Sequence, residues 1–405
     1  MSEDPPLDQL KDLPSDVARA RMLADASVLG LESASLSEAL GRVLGEDIIA
    51  TRNQPPFDAS AMDGWAVAGP GERFEIIGES AAGHGFSGLL TSGQAVRIFT
   101  GAPVPSGAQR VVIQEVAART ADTLRAPADS PGAPRHIRPV GGDFRAGETL
   151  LRAGVQLDPW RIALAAAAGR AEVRVARRPQ VVILATGEEL ARPGHPPRDD
   201  QIYDSGGPAL QALVRSWGAT PIRLEAIGDE ASAIAGAVAG AGGDLVVTVG
   251  GASVGDHDLV KPAMVRLGLT LRVETVRLRP GKPTWFGRLT DGRRILGLPG
   301  NPASALVCAE LFLRPLIYAL QGARPGPTIE TARLLSAMPA NGARETWSRG
   351  RLSILDGVQH VAATADQDSS LVSVFAAAEA LIRRRPDAAP SAVGAVVDII
   401  RLGRL

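Results

Sequence analysis

The sequence predicts an α/β chain of several domains, a doubly wound and mainly parallel sheet with small β-rich units attached. Three observations carry this. From Arg178 to about Gln321, strand and helix patterns alternate at the lengths that build a parallel sheet with helices on both faces. From about Thr51 to Gly147, prolines and glycines recur every few residues between short β-type runs, the mark of a small all-β domain. And 405 residues exceed the roughly 250–300 at which a single core stops growing.

Taken in order, residues 15–48 alternate helical patterns with short breaks, and Ser35 and Glu38 have the spacing of a capping box at a helix start. Short strands are predicted at 74–77, 95–99 and 110–113, with 119–134 as an exposed hairpin or loop. An alanine-rich helix follows at 157–168 and stops at Gly169. The alternating region then begins. A strand is predicted at 180–185, and a helix at 209–217 puts Leu210, Leu213, Val214 and Trp217 on one face before Gly218 ends it. Ile222, Leu224 and Ala226 alternate on the next strand, 231–241 is helical, and Leu245-Val246-Val247-Thr248-Val249 is a short buried strand ending on Gly250-Gly251. Beyond Arg324-Pro325-Gly326-Pro327, a linker, strand-like runs and turns predict a second small β domain.

Composition excludes several functions. Lys plus Arg total 43 and Asp plus Glu 44, so no basic excess favours nucleic acid or an anionic membrane. Aromatics are 4% of residues, too few for stacking on bases to be the main recognition mode. The one cysteine, Cys308, excludes an intramolecular disulfide and fits a reducing compartment. The polar, acidic N-terminus lacks the pattern of a signal peptide, and the longest weakly polar run, 231–255, is broken by Asp244 and dense in glycine. A cytoplasmic protein that binds neither membrane nor nucleic acid is the expectation. His84, His136, His195, His257 and His360 have no zinc-ligand spacing.

The chemistry lies in the loops. After the Leu245–Val249 strand, Gly250, Gly251, Ser253 and Gly255 can let phosphates approach backbone N–H groups at a helix start. Asp256 and Asp258 in the same loop suit a divalent cation bridging to phosphate, or equally a helix cap and a solvated acid. Thr186-Gly187-Glu188-Glu189 suits a phosphate-approaching turn whose acids hold a metal or cap a helix. Asp204 and Ser205 are explained by capping, and Gly228-Asp229-Glu230 places more acid at a helix start. Arg279-Pro280-Gly281-Lys282-Pro283 is the cationic loop of the region, stiff enough to hold an anion at little entropic cost. In Leu298-Pro299-Gly300-Asn301-Pro302, Asn301 is a natural N-cap and Pro302 suits the first helical position. Asp58, Asp63 and Asp143 sit in turns of the first β domain that are sufficiently explained as structural.

Together the loops are more specific than any one alone. SAMDGW, TGAPVPSG, ATGEEL, VGGASVGDHD, RPGKP and LPGNPASA, in this order and spacing, resemble the MoeA family of molybdopterin molybdenumtransferases, to which the E domains of gephyrin and its plant counterpart are related. The resemblance implies a MogA/MoaB-like central domain in an elongated, four-domain homodimer. It divides the chain into a doubly wound molybdopterin-binding domain (1–28 and 176–324), a helical connecting domain (29–50 and 148–175), a small β domain (51–147) and a C-terminal β domain (325–405). It implies insertion of molybdate into adenylylated molybdopterin with release of AMP, dependent on Mg2+, and a molybdopterin adenylyltransferase as a candidate partner. By the same resemblance Asp229 and Asp258 work with magnesium at the pyrophosphate, with Glu189 nearby. Asp63 and Asp143 come from the other subunit. Lys282 and Arg279 hold oxyanions with Arg349 and Ser369, and Thr186, Gly187, Gly250, Gly251, Ser253, Gly255, Pro299 and Asn301 line the substrate site.

Several positions depart from the usual family pattern. Ala59 stands for asparagine, Trp65 for tyrosine, Gly142 for an acid, Gly206 for asparagine, Arg279 for lysine and Asp368 for glycine. Arginine for lysine keeps the charge but changes donor geometry. Asp368 is expected to weaken molybdate binding if it points inward. A diverged, non-catalytic pterin-binding or scaffolding protein is therefore the alternative, and an adenylyltransferase of molybdopterin a third.

Overall fold

In the computed structural model, which describes residues 7–228, 230–250, 259–323 and 328–403, a six-stranded sheet forms the centre. Within it the strands in chain order are β1 (Gln180–Ala185), β2 (Thr220–Arg223), β3 (Leu245–Val249), β4 (Thr270–Val273), β5 (Trp285–Arg288) and β6 (Arg294–Leu298). Their spatial order is β2-β1-β3-β6-β5-β4. The first four of that series are parallel, while β5 pairs antiparallel with both β6 and β4 at one side.

Both faces of this sheet are covered, and period-2 alternation says which side chain goes where. Val181, Ile183, Leu245, Val247, Val249, Leu296 and Leu298 point to one core, which takes in Leu210 and Val214 of the Gly206–Ser216 helix and most of the Pro302–Leu320 helix. Val182, Leu184, Val246 and Ile295 point to the other, against Ile234 and Val238 of Ala231–Gly240 and Val260 and Met264 of Val260–Val265. Each such aliphatic side chain, fully withdrawn from water, contributes about 1.5–3 kcal/mol. The doubly wound fold follows from this two-sided burial. The N-terminal helix Ser15–Ala24 joins the first core through Ala18 and Met22.

The 19-residue helix Pro302–Leu320 is long and apolar enough to cross a membrane by length and composition, but it is 83% buried against the sheet. It, and not the 231–255 run, is the most membrane-like stretch. A π turn at Ala309–Leu313 interrupts it, beside the buried Glu310–Arg314 ion pair at 3.1 Å.

Three smaller units surround the centre. Leu31–Ser35 pairs antiparallel with Glu172–Ala176 over a small core that includes Leu44, Leu157 and Val175. Ser35 ends a strand there, and its hydroxyl bonds Glu38 at 2.9 Å above a single 3-10 turn, so the expected capping box does not open an α-helix. The alanine-rich helix does form, at Pro159–Ala167 with Asp158 as its N-cap. A second six-stranded sheet runs Arg110–Ile113, Gly64–Val67, Gln94–Ile98, Arg73–Ser80, Thr123–Arg125 and Ala118–Thr120, the last two forming the expected exposed hairpin. The C-terminal sheet joins Glu345–Leu355, Val358–Ala363, Ile329–Leu334, Val396–Arg401 and Ala380–Arg384, and Glu345–Leu355 also pairs with Ala380–Arg384 to close it. The expected linker at 324–327 lies outside the described residues.

Two of the contacts that bind the C-terminal unit to the centre lie at the start of its Glu345–Leu355 strand. Leu278–Arg279, just before β5, adds a parallel strand to the C-terminal sheet at Glu345 and Thr346. Glu345, 5% exposed, accepts hydrogen bonds from the Ser15 hydroxyl and from Arg383 Nε, the latter at 2.7 Å.

Candidate active site

Register decides which loops meet. Ala185, Val249 and Leu298 are cross-strand partners, so β1, β3 and β6 end at one rim. Thr186, Gly250 and Pro299 follow them directly. The N–H of Thr186 donates to Val249 O at 2.9 Å, and that of Gly250 to Leu298 O at 3.4 Å. Gly250 adopts φ +98°, and a Cβ on it would stand 2.9 Å from Thr186 Oγ1. A Cβ on Gly300 would stand 3.4 Å from Gly250 Cα. Gly250 admits no side chain against Thr186, Gly300 packs in ordinary contact on Gly250, and the rim is thereby left open where an anionic ligand of a doubly wound fold binds.

Thr186 itself is 4% exposed, and its hydroxyl has no partner among the described residues. An unpaired buried hydroxyl costs about 1–3 kcal/mol. A ligand atom at the rim would relieve that cost. Next to it, Gly187 (φ +143°) has the Glu189 carboxylate folded over it, since a Cβ there would lie 2.7 Å from Glu189 Cδ. Asp204, also buried, caps the Gly206–Ser216 helix through Gly207 N–H at 2.8 Å and pairs with Arg223 at 2.8 Å, in line with its structural reading.

The cationic loop reaches the same rim by a different route from the one expected. RPGKP does not follow a strand of the central sheet but leads into the antiparallel β5, whose first residue, Trp285, opposes Gly297 near the end of β6. Gly281 (φ +117°) packs on the buried Cys308, where a Cβ would strike Sγ, and Thr284 Oγ1 bonds Gly281 O at 2.8 Å. The glycine thus clamps the loop to the core. Arg279 and Lys282 are exposed, and neither side chain bonds to another described residue.

Asn301 departs from its expected role. It precedes the helix and Pro302 occupies the first turn, but its side chain makes no cap bond. The amide instead donates to Ser369 Oγ at 2.9 Å, and Ala303 N–H donates to Ser369 O at 3.1 Å. The C-terminal unit thereby sets Ser369 on the rim of its own chain's sheet. Arg349 does not reach solvent: it is 1% exposed, its Nη2 donates to Asp368 O at 3.1 Å, and burial lowers its pKa. Asp368 does not turn inward. Its carboxylate accepts from Ser370 Oγ at 2.6 Å and Ser370 N at 2.8 Å, which hold its pKa below the usual carboxylate range.

Asp63 and Asp143 lie elsewhere, in loops of the 51–147 unit. Asp63 is exposed and accepts from Thr100 N–H at 2.7 Å and Thr100 Oγ1 at 2.8 Å, which lower its pKa. Asp143 is exposed, its N–H on Gln54 O at 2.9 Å. Among the described residues no hydrogen bond or ion pair joins this unit to the central sheet or the C-terminal unit. One chain therefore gathers Thr186, Gly187, Glu189, Gly250, Arg279, Lys282, Pro299, Asn301 and Ser369, but not Asp63 and Asp143. Asp229, Gly251, Ser253, Gly255 and Asp258, with Asp256 and His257, lie outside the described residues. Among those described, no three His, Cys, Asp or Glu side chains are grouped to hold a metal ion.

Sequence reasoning passed over three residues of this region. Gly300 completes the backbone packing, Thr100 holds Asp63, and Gln367 supports the Ser369 loop. Gly300 and Thr100 had a signal, their places inside the LPGNPASA and TGAPVPSG motifs, and Gln367 had none.

Comparison with known proteins agrees with this layout. Three family models match in succession: the MoeA N-terminal region (domain I and II) at residues 13–169, a probable molybdopterin binding domain at 182–319, and the MoeA C-terminal region (domain IV) at 331–402. A molybdopterin molybdenumtransferase of Nostoc sp. is 36% identical over 360 residues, covering 85% of this chain and 82% of the relative. The protein of that name from Haemophilus influenzae is 37% identical over 314 residues, covering 76% and 77%. The crystal structure of the molybdopterin biosynthesis MoeA protein of Pyrococcus horikoshii OT3 superposes with a TM-score of 0.83 at 26% identity, covering 97% of this chain and all of the other. With its order of domains, its rim of glycine-lined loops and relatives matched over most of its length, the chain belongs to the MoeA family, the molybdopterin molybdenumtransferases.

Proposed function

We infer that this chain is the transferase of molybdenum cofactor biosynthesis that inserts molybdate into molybdopterin, and that its substrate is the adenylylated form, from which AMP leaves. The observation that carries the reading is the buried Thr186 hydroxyl beneath Gly250, without a partner among the described residues, at the rim that also receives Asn301 and Ser369. Two anions must meet there, a pyrophosphate-bearing pterin and molybdate. The glycine-lined turns after Thr186 and Pro299 let the phosphates approach the rim, where the Thr186 hydroxyl can donate to them. Lys282 and Arg279, exposed and without side-chain partners among the described residues, take oxyanions as the charges converge. Ser369 orients molybdate by hydrogen bonding.

A buried rim oxygen at Thr186 and the Glu189 carboxylate beside Gly187 are hard donors suited to a magnesium ion, which with Asp229 and Asp258 would neutralise the pyrophosphate. The chain acts as a homodimer in which Asp63 and Asp143 complete the site of the other subunit. That arrangement accounts for a 51–147 unit which, among the described residues, makes no polar contact with the rim of its own chain. A molybdopterin adenylyltransferase supplies the substrate, and the reaction takes place in the cytoplasm.

The departure at Asp368 does not favour the non-catalytic alternative, because that carboxylate is held by Ser370 within its own turn. The test is AMP release from adenylylated molybdopterin, with magnesium, by the Asp258→Ala variant. Loss of release in a folded protein supports the reading, and full turnover removes that loop from the mechanism.

A further inference from the structure

The Ser369 loop is anchored at both ends. At the rim, Ser369 is tied to Asn301 and Ala303. At the C-terminal sheet, the amide of Gln367 clasps the backbone of Arg349, in the middle of Glu345–Leu355. Its Oε1 accepts from Arg349 N–H at 2.9 Å, and its Nε2 donates toward Arg349 O at 2.9 Å. The same Nε2 lies 2.9 Å from Thr364 O and 2.7 Å from Thr364 Oγ1, and Thr364 N–H donates to Arg349 O at 2.9 Å. An amide that donates to and accepts from one residue's backbone behaves like an added strand residue. It fixes the loop in register as well as in place. Arg349 adds its bond to Asp368 O, one residue before Ser369.

We propose that Gln367 is a positioning residue for the oxyanion substrate, holding the 364–370 loop so that Ser369 meets molybdate at the rim. Arg349 then serves the same end from within the C-terminal unit, bonding the loop backbone and not the oxyanion. The inference rests on the functional reading above and deepens it. Loop position matters to one substrate only, since the Thr186 and Gly250 contacts to the pterin phosphates lie on other loops. Losing the clasp should therefore raise KM for molybdate and leave kcat and the affinity for adenylylated molybdopterin nearly unchanged.

Steady-state AMP release should be measured against molybdate concentration for the wild type, Gln367→Met, which keeps the length and loses the bonds, and Gln367→Glu. The Met variant should raise KM for molybdate about tenfold, the equivalent of one or two lost hydrogen bonds, with kcat within about twofold. In the Gln367→Glu variant the protonated carboxyl can donate to Arg349 O and accept from its N–H, whereas the ionised form cannot donate. Its KM should thus be near the wild-type value at low pH and climb as pH rises, with the wild type as the reference at each pH. An unchanged KM in both variants, or a fall in kcat alone, overturns the proposal. Should the Met variant not fold, the pH-dependent KM of the Glu variant decides by itself. A wild type without molybdate-dependent AMP release refutes the functional reading, and the positioning role falls with it. A wild type that turns over beside insensitive variants refutes the positioning role only.

Discussion

Replacing Thr186 by valine should make the protein more stable and a worse binder at the same time. Valine has nearly the shape of threonine, so packing is preserved and only the hydroxyl goes. In the native rim that hydroxyl is buried and has no partner among the described residues. Removing an unsatisfied buried group recovers its desolvation cost, about 1–3 kcal/mol, so a gain of about 1 kcal/mol in unfolding free energy is expected. If the hydroxyl bonds a phosphate oxygen of adenylylated molybdopterin, the same change should weaken binding by about 1–1.5 kcal/mol, or roughly tenfold. Thr248 supplies the control. Its hydroxyl is equally buried and without a partner among the described residues, but it lies within β3 and not on the rim loops, so Thr248→Val should stabilise without touching affinity. Urea unfolding and calorimetric titration read the two effects. A Thr186→Val protein that is less stable than the wild type, or one that binds the substrate unchanged, would refute the idea that this hydroxyl waits for a ligand.

Four further outcomes follow from the same structure. Gly281→Ala should destabilise by about 2–4 kcal/mol, because alanine is strained at φ +117° and its Cβ strikes Cys308; a melting temperature equal to the wild type's would contradict this. Burial pushes the Cys308 thiol up to about 12, so the folded protein should resist thiol reagents at pH 8, and prompt labelling of native protein would count against the packing. Glu345→Ala should cost about 3–5 kcal/mol by leaving Arg383 without its carboxylate, and an unfolding midpoint unmoved in urea would show the link between the N-terminal helix and the C-terminal sheet to be idle. The Thr100 N–H and hydroxyl bonds lower the pKa of Asp63, so its ionised state should persist as pH falls below the usual carboxylate range; Thr100→Ala, which keeps the N–H bond, should shift its carboxyl NMR titration partway upward, and an unmoved midpoint would mean the hydroxyl bond does not hold in solution.

Much of this was legible in the sequence, for physical reasons that differ by element. Near-continuous apolar runs in Gln180–Ala185 and Leu245–Val249 announce strands buried on both faces, and the Leu210, Val214 and Trp217 spacing announces the helix that covers one of them. The glycines of the rim were readable because a backbone contact such as Gly250 on Thr186 admits nothing larger. Local rules failed where tertiary contacts intervened. Ser35 and Glu38 have capping-box spacing, but pairing of Leu31–Ser35 with Glu172–Ala176 takes the chain into a strand. Asn301 is a natural cap, yet a serine 68 residues away claims its amide. Arg349, which the resemblance casts as an oxyanion holder, is a buried strut, since no local pattern reveals that the 364–370 loop will fold over it. RPGKP looks like one more loop following a parallel strand, and reaches the rim only because β5 reverses direction.

The central claim, that this rim joins molybdate to an adenylylated pterin, is met most directly by one assay. Purified protein, adenylylated molybdopterin and magnesium are incubated with and without molybdate, and AMP is measured. The account predicts AMP release that depends on molybdate. Release at the same rate without molybdate, or none in its presence, would contradict it.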